Sequence, residues 1–125
     1  MKIAIGADHG GVEMKEQVKK ALAARGVELD DVGSFSAESV DYPDFASAVA
    51  KRVSEGSAQQ GILICRTGIG MSMTANRFPK VRAALVLDPD MARLARSHND
   101  ANVLVMGSAT TQAANVPAIL DAWFG

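Results

Sequence analysis

With 125 residues and a formal net charge of −1, the chain has the size of one compact domain and no charge excess to draw it to nucleic acid or an anionic membrane. Hydrophobic residues make up 48% and aromatic ones 5%, so the core is expected to be aliphatic, and a domain this small leaves about a third of its unfolded-chain surface exposed, room for a partner subunit. No stretch approaches the roughly 20 apolar residues that span a bilayer, the single cysteine cannot close an internal disulfide, and no Cys/His set has zinc-ligand spacing, so no metal site is expected and a reducing cytoplasm is the expected home.

The chain begins Met1-Lys2-Ile3-Ala4-Ile5-Gly6, and acidic Asp8 and Glu13 follow at once. That reads as a first strand over Lys2–Ala7 rather than a leader peptide. Met14, Val18, Ala21 and Leu22 then fall on one helical face, and Gly26 marks the end of that helix. A second strand is expected over Val27–Val32, a helix whose face holds Phe45, Val49 and Val53, and Gly56 as its stop. Gly61–Cys65 is a third strand and Arg82–Leu87 a fourth. Asp88-Pro89 pairs an N-cap with proline at the first helical position. The helix it opens carries Met91, Leu94 and Ala95 on one face. A fifth strand over Asn102–Met106 and a helix with Val116, Ile119, Leu120 and Trp123 complete the chain. Short apolar runs suit strands covered on both faces. Repeated strand–helix alternation predicts one α/β domain, a three-layer α/β/α sandwich with a five-stranded, mainly parallel, Rossmann-like sheet.

Ligands in such folds gather at the carboxyl ends of the strands, so the strand map is also a site map. The third strand delivers Cys65-Arg66-Thr67-Gly68-Ile69-Gly70. Its two glycines allow a tight turn, and the following helix points its amides into the loop, a good setting for anionic oxygen. A thiol beside that field can serve as a proton-abstracting base. The plain alternative for Cys65 is a small buried hydrophobe. Gly-x-Gly after a strand also suggests a nucleotide, but the third glycine and the Lys-Ser/Thr of a P-loop are missing.

The first strand delivers Asp8-His9-Gly10-Gly11. His9 can donate to a phosphate or hydroxyl and Asp8 can orient a hydroxyl, or Asp8 merely caps the next helix. His98, within Ser97-His98-Asn99-Asp100, can relay a proton near neutral pH. By chain order it lies at the other end of the sheet, and the alternative is an ordinary polar helix terminus. Tyr42, in Asp41-Tyr42-Pro43, lines a pocket or packs a loop.

Taken together, these stretches resemble one family. They are Ile5-Gly6-Ala7-Asp8-His9-Gly10-Gly11, Asp41-Tyr42-Pro43, Gly61 through Ser72, Ala75-Asn76-Arg77, and Ser97 through Leu104, in the family's order and across nearly the whole chain. The family is that of type B ribose-5-phosphate isomerase, allose-6-phosphate isomerase and the galactose-6-phosphate isomerase subunits. The resemblance implies a cofactor-free aldose–ketose isomerisation through a cis-enediolate, with Cys65 moving a proton between C1 and C2. Backbone amides of the loop Thr67, Gly68, Ile69, Gly70 and Met71 would hold the enediolate oxygen. Thr67 and His98 would assist ring opening, and Asn99 and Tyr42 would hold hydroxyls. Asp8 and His9 would meet the ring oxygen and phosphate end. A homodimer or tetramer with sites between subunits is implied as well.

Two departures bear on the substrate. Arg66 stands where the family has glycine after the cysteine. The family also continues into a helix bearing phosphate-binding arginines, whereas here no Lys or Arg follows Arg96, and Ala109 stands where many members have arginine. The domain, 1–125, is therefore expected to lack that helix and the usual phosphate clamp. Three functions remain open: an isomerase of a phosphorylated sugar using Arg66 and His9, an isomerase of a shorter or unphosphorylated sugar, and a non-catalytic sugar-phosphate-binding subunit. Cys65, Thr67, His98 and Asp8 occurring together argue against the third.

Overall fold

A computed structural model describes residues 1–33 and 42–125, with the backbone alone at 42. Its strands are β1 (Lys2–Ala7), β2 (Glu28–Gly33), β3 (Gln60–Cys65), β4 (Ala83–Leu85) and β5 (Val103–Gly107). Its helices are α1 (Val12–Ala23), α2 (Tyr42–Glu55), α3 (Ile69–Ala75), α4 (Pro89–Asn99) and α5 (Val116–Phe124), the last preceded by a 3-10 turn over Ala113–Asn115. The sheet order is β2-β1-β3-β5-β4, and every pairing is parallel.

Alternation along the central strands fixes the layers, because successive side chains point to opposite faces. Ile3, Ile5, Ile62, Ile64, Leu104 and Met106 pack with α1, α4 and α5 through Met14, Val18, Leu22, Ala92, Ala95, Ile119, Leu120 and Trp123. Ala4, Leu63, Cys65, Val103 and Val105 face the other way, onto Val49, Ala50 and Val53 of α2 and Met71 and Ala75 of α3. The Trp123 indole N–H donates to Gln60 Oε1 at 2.8 Å, so the ring is buried without an orphaned donor.

The helix boundaries follow their punctuation. Gly26 and Gly56 have φ of +72° and +82° after α1 and α2, as helix-ending glycines do. Asp88 accepts the Met91 N–H at 2.9 Å, with Pro89 opening α4.

Some expectations need correction. β2 runs one residue later than Val27–Val32. β4 is shorter than Arg82–Leu87, since it is an edge strand with one neighbour, and its chain turns at Leu87 into the Asp88 cap. α4 buries Ala92 and Ala95, while Met91 and Leu94 stay 36% and 38% exposed. Packing through alanines brings α4 close, as its dense contact with α5 requires, and leaves the longer side chains outside. Asp8 does not cap α1: its Oδ1 accepts the Gly10 N–H at 2.9 Å, and Gly11 holds the cap position.

Candidate active site

The chain passes from β1 out to β2, then returns across β1 to β3. The direction of winding reverses between β1 and β3, the position where open α/β sheets take their ligands. The loop after β1 brings Asp8, His9 and Gly10 there, and the loop after β3 brings Cys65 through Gly70. Close approach is built into this end. A Cβ on Gly11 would lie 2.6 Å from the Ile64 carbonyl oxygen, so only glycine lets α1 begin so near β3.

Cys65 is the last residue of β3 and is 5% exposed. Its Sγ receives the Gly68 N–H at 2.9 Å, and Gly68 bends with φ +81°. Thr67 Oγ1 accepts the Ile69 N–H at 3.3 Å. Two loop amides are thus engaged within the loop, and Gly70 and Met71 carry first-turn amides with no acceptor inside the helix. The loop after β5 clamps the base of this arrangement. Ser108 N–H donates to the Cys65 carbonyl and Ala109 N–H to the Arg66 carbonyl, both at 2.8 Å. Thr111, 2% exposed, takes the Gly107 N–H and donates to the Val86 carbonyl at 3.0 Å, tying β5 to β4.

Beside the loop after β1 is a cleft of about 370 Å³ whose walls include His9, Gly10, Gln17 and Ser108. Asp8, just before His9 in the chain, is 8% exposed, and His9 itself is exposed. Behind the crevice, Lys15 is fully buried with Nζ 2.9 Å from both Asp31 oxygens, and Lys19 reaches the same carboxylate at 2.8 Å. Burial pushes the Asp31 carboxyl up, but hydrogen bonds from Lys19, Lys15 and the Gly33 N–H outweigh it and hold it below the usual carboxylate range. Among the described residues no cluster of three or more His, Cys, Asp and Glu is placed to hold a metal ion.

A family model described as ribose/galactose isomerase matches residues 3–125. The chain belongs to that family. Ribose-5-phosphate isomerase B of Escherichia coli is 46% identical over 99% of this chain and 83% of its own length. The solved structure of ribose-5-phosphate isomerase B from Clostridium thermocellum superposes with a TM-score of 0.96 at 45% identity, covering 99% of this chain and 84% of that one. The Thermotoga maritima ribose 5-phosphate isomerase gives 0.95 at 50% identity, covering 99% and 86%. The expected family and the α/β sheet are borne out, and with the family comes the class of aldose–ketose isomerases.

The stretches that carry the family likeness fall at both ends of the sheet. Asp8, His9, Cys65, Arg66, Thr67, Gly68, Ile69 and Gly70 meet at the carboxyl ends. His98 and Asn99 do not join them within one chain. They end α4 at the amino edge, where the Asn99 carbonyl accepts from Arg82 Nε at 2.7 Å, and the six residues of β3 put about 20 Å between the two ends. Asn76 and Asn102 hold the edge strand. The Asn76 amide pairs with both backbone groups of Ala83, and Asn102 takes the Arg82 N–H and donates to the Lys80 carbonyl. The Tyr42 side chain lies outside the described residues. Ser108, Thr110 and Thr111 were not singled out from the sequence. Their signal is Gly107-Ser108 at the end of a buried strand, the place where this architecture keeps its loops.

Proposed function

We propose that the domain over 1–125 interconverts a phosphorylated aldose and its ketose, ribose 5-phosphate and ribulose 5-phosphate being the first pair to test, with no cofactor. The observation that carries this reading is the Cys65 thiol, set at the sheet's reversal point with the Gly68 amide aimed at Sγ from 2.9 Å.

In the open-chain aldose, Cys65 removes the C2 proton as a thiolate. The C–H electrons form the C1=C2 bond, and the carbonyl π electrons move to O1, giving a cis-enediolate. The amides of Gly70 and Met71 meet the developing negative oxygen, with Gly68 and Ile69 completing that wall of the site. A proton passes from O2 to O1, the Cys65 thiol returns its proton to C1, and O2 becomes the ketone oxygen. Thr67 and His98 assist opening of the furanose ring. Asn99 and Tyr42 hold hydroxyls, and Asp8 and His9 meet the ring oxygen and the phosphate end.

His98 and Asn99 lie at the far edge of their own chain, so this reading needs a second copy to bring them to Cys65. An assembly is supported by apolar side chains left outside: Ile69 and Met73 on α3 are 55% and 68% exposed, and Met91 and Leu94 on α4, with Leu87 just before it, are exposed as well. A homodimer, or two dimers paired as a tetramer, covers them. No described helix is long and apolar enough to cross a membrane, and a reducing cytoplasm suits a site whose base is a thiol.

The test is a screen of pentose, hexose and tetrose phosphates against the matching free sugars in excess chelator. Turnover of a sugar phosphate that disappears in Cys65→Ala supports the reading. Turnover of none of them, or undiminished turnover in Cys65→Ala, rejects it.

A further inference from the structure

We propose that Arg66 gives this site its preference for sugars ending in an anionic group, by pairing its guanidinium with that group's oxygens. The proposal rests on the isomerase reading above and concerns how the same site selects its substrate.

The residue is fixed in backbone and open in side chain. Its carbonyl is held by the Ala109 N–H at 2.8 Å. On the other side it abuts the loop after β1, where a Cβ on Gly10 would lie 3.5 Å from the Arg66 Cβ and 3.4 Å from Asp8 Oδ1. That is ordinary van der Waals contact, and beside it the Arg66 side chain is exposed at the rim. The cleft walled by His9, Gln17 and Ser108 opens beside that point, and Ser108 directly precedes the residue that holds Arg66.

The other cations near this end of the sheet are already engaged. Lys15 and Lys19, the cations nearest this end on α1, are both engaged by Asp31. Arg25, Arg52 and Arg96 face carboxylates elsewhere, and Arg82 is on a backbone carbonyl at the amino edge. Arg66 has neither an ion pair nor a side-chain hydrogen bond among the described residues. Two carboxylates belong to the same end: Asp8, almost buried, whose Oδ1 borders Gly10 as Arg66 does, and Glu13, on the wall of the cleft. A cation here offsets those negative charges toward an incoming phosphate. An arginine supplies a planar fork of donors that matches phosphate oxygens in pairs, which an ammonium does not.

The experiment compares the full-length protein with Arg66→Gly and Arg66→Lys on ribose 5-phosphate and on ribose, by steady-state kinetics and by calorimetric titration with ribose 5-phosphate. The expected result for Arg66→Gly is a KM for the phosphorylated sugar raised roughly tenfold to a hundredfold, with kcat moving less and the loss on ribose smaller. Arg66→Lys should recover part of the loss. An unchanged KM on ribose 5-phosphate, or an equal rise on both sugars, overturns the proposal and leaves the isomerase reading intact. If the wild type turns over neither sugar yet binds ribose 5-phosphate in an Arg66-dependent way, the isomerase reading falls and the role of Arg66 stands. Neither binding nor turnover of the phosphorylated sugar removes both.

Discussion

The Gly68 amide and the Cys65 sulfur face each other at 2.9 Å across the bend that joins β3 to α3. The bend leaves no alternative to glycine: φ is +81°, and a Cβ would lie 2.4 Å from Leu85 Cδ1 and 3.3 Å from the Met106 backbone. One backbone conformation therefore both fixes the thiol's direction and starts the helix whose first amides border it.

Removing that thiol tests its role directly. Cys65→Ala and Cys65→Ser should lower kcat by roughly 10²–10⁴, the usual weight of a positioned general base. Circular dichroism should remain native, since each change removes or exchanges a single side-chain atom. Wild-type kcat in Cys65→Ala would end the assignment.

If His98 reaches Cys65 only from a second copy, two dead variants should rescue each other. Cys65→Ala and His98→Asn are each expected to be weak, and mixing them after dissociation should restore about a quarter of the wild-type sites, one intact site in each mixed dimer. Light scattering should show an assembly larger than the 13.1 kDa chain. A fully active monomer at micromolar concentration, or no recovery on mixing, contradicts a shared site.

Gly107 offers a test of the loop crossing. A Cβ there would come within 2.4 Å of Thr110 Oγ1 and 2.5 Å of the Thr67 carbonyl carbon. Backbone on one side cannot yield without moving Thr67. Gly107→Ala should cost about 1–3 kcal/mol, lowering Tm by several degrees, and should reduce kcat along with it. A melting temperature and kcat equal to wild type would show that the loops have slack.

The Lys15–Asp31–Lys19 cluster predicts a pH signature. The folded Asp31 carboxyl is held below its ordinary value of 3.8, so its stabilisation is present above that pH and is lost as pH falls below it toward the folded value. Lys19 is raised above 10.5 by its hydrogen bond to Asp31. Its share is present below pH 10.5 and fades as pH rises beyond. Asp31→Asn takes the charge from a buried lysine's partner and should cost about 3 kcal/mol near neutral pH. Denaturant titrations at pH 7 and pH 3 should show the gap between wild type and variant narrowing in acid. A gap that is constant with pH would assign the stability to packing alone.

The sheet was legible because its central strands are buried on both faces, which forces continuous apolar runs such as Gly61–Cys65. Strand order was not, since it depends on pairings between segments far apart that leave no local period. The face of α4 was misjudged for a related reason. Met91 and Leu94 satisfy a helical period as well as Ala92 and Ala95 do, and periodicity reports that a side is apolar without saying what covers it. In the site, Cys65 and Asp8 were readable from their places after strands. Thr110 and Thr111 were not, because they act through Thr67 and Val86, about 40 and 25 residues away in sequence.

The crossing of Gly107 over Thr67 also bears on how such a site can change over generations. The floor of the crevice is made of backbone pressed against backbone, so replacements there disturb folding and chemistry together. Positions 66 and 109, joined by a single hydrogen bond at the rim, point their side chains away from that contact and can be exchanged singly. Changes of sugar preference are expected at that rim, one side chain at a time, while the thiol and its glycine bend stay where they are.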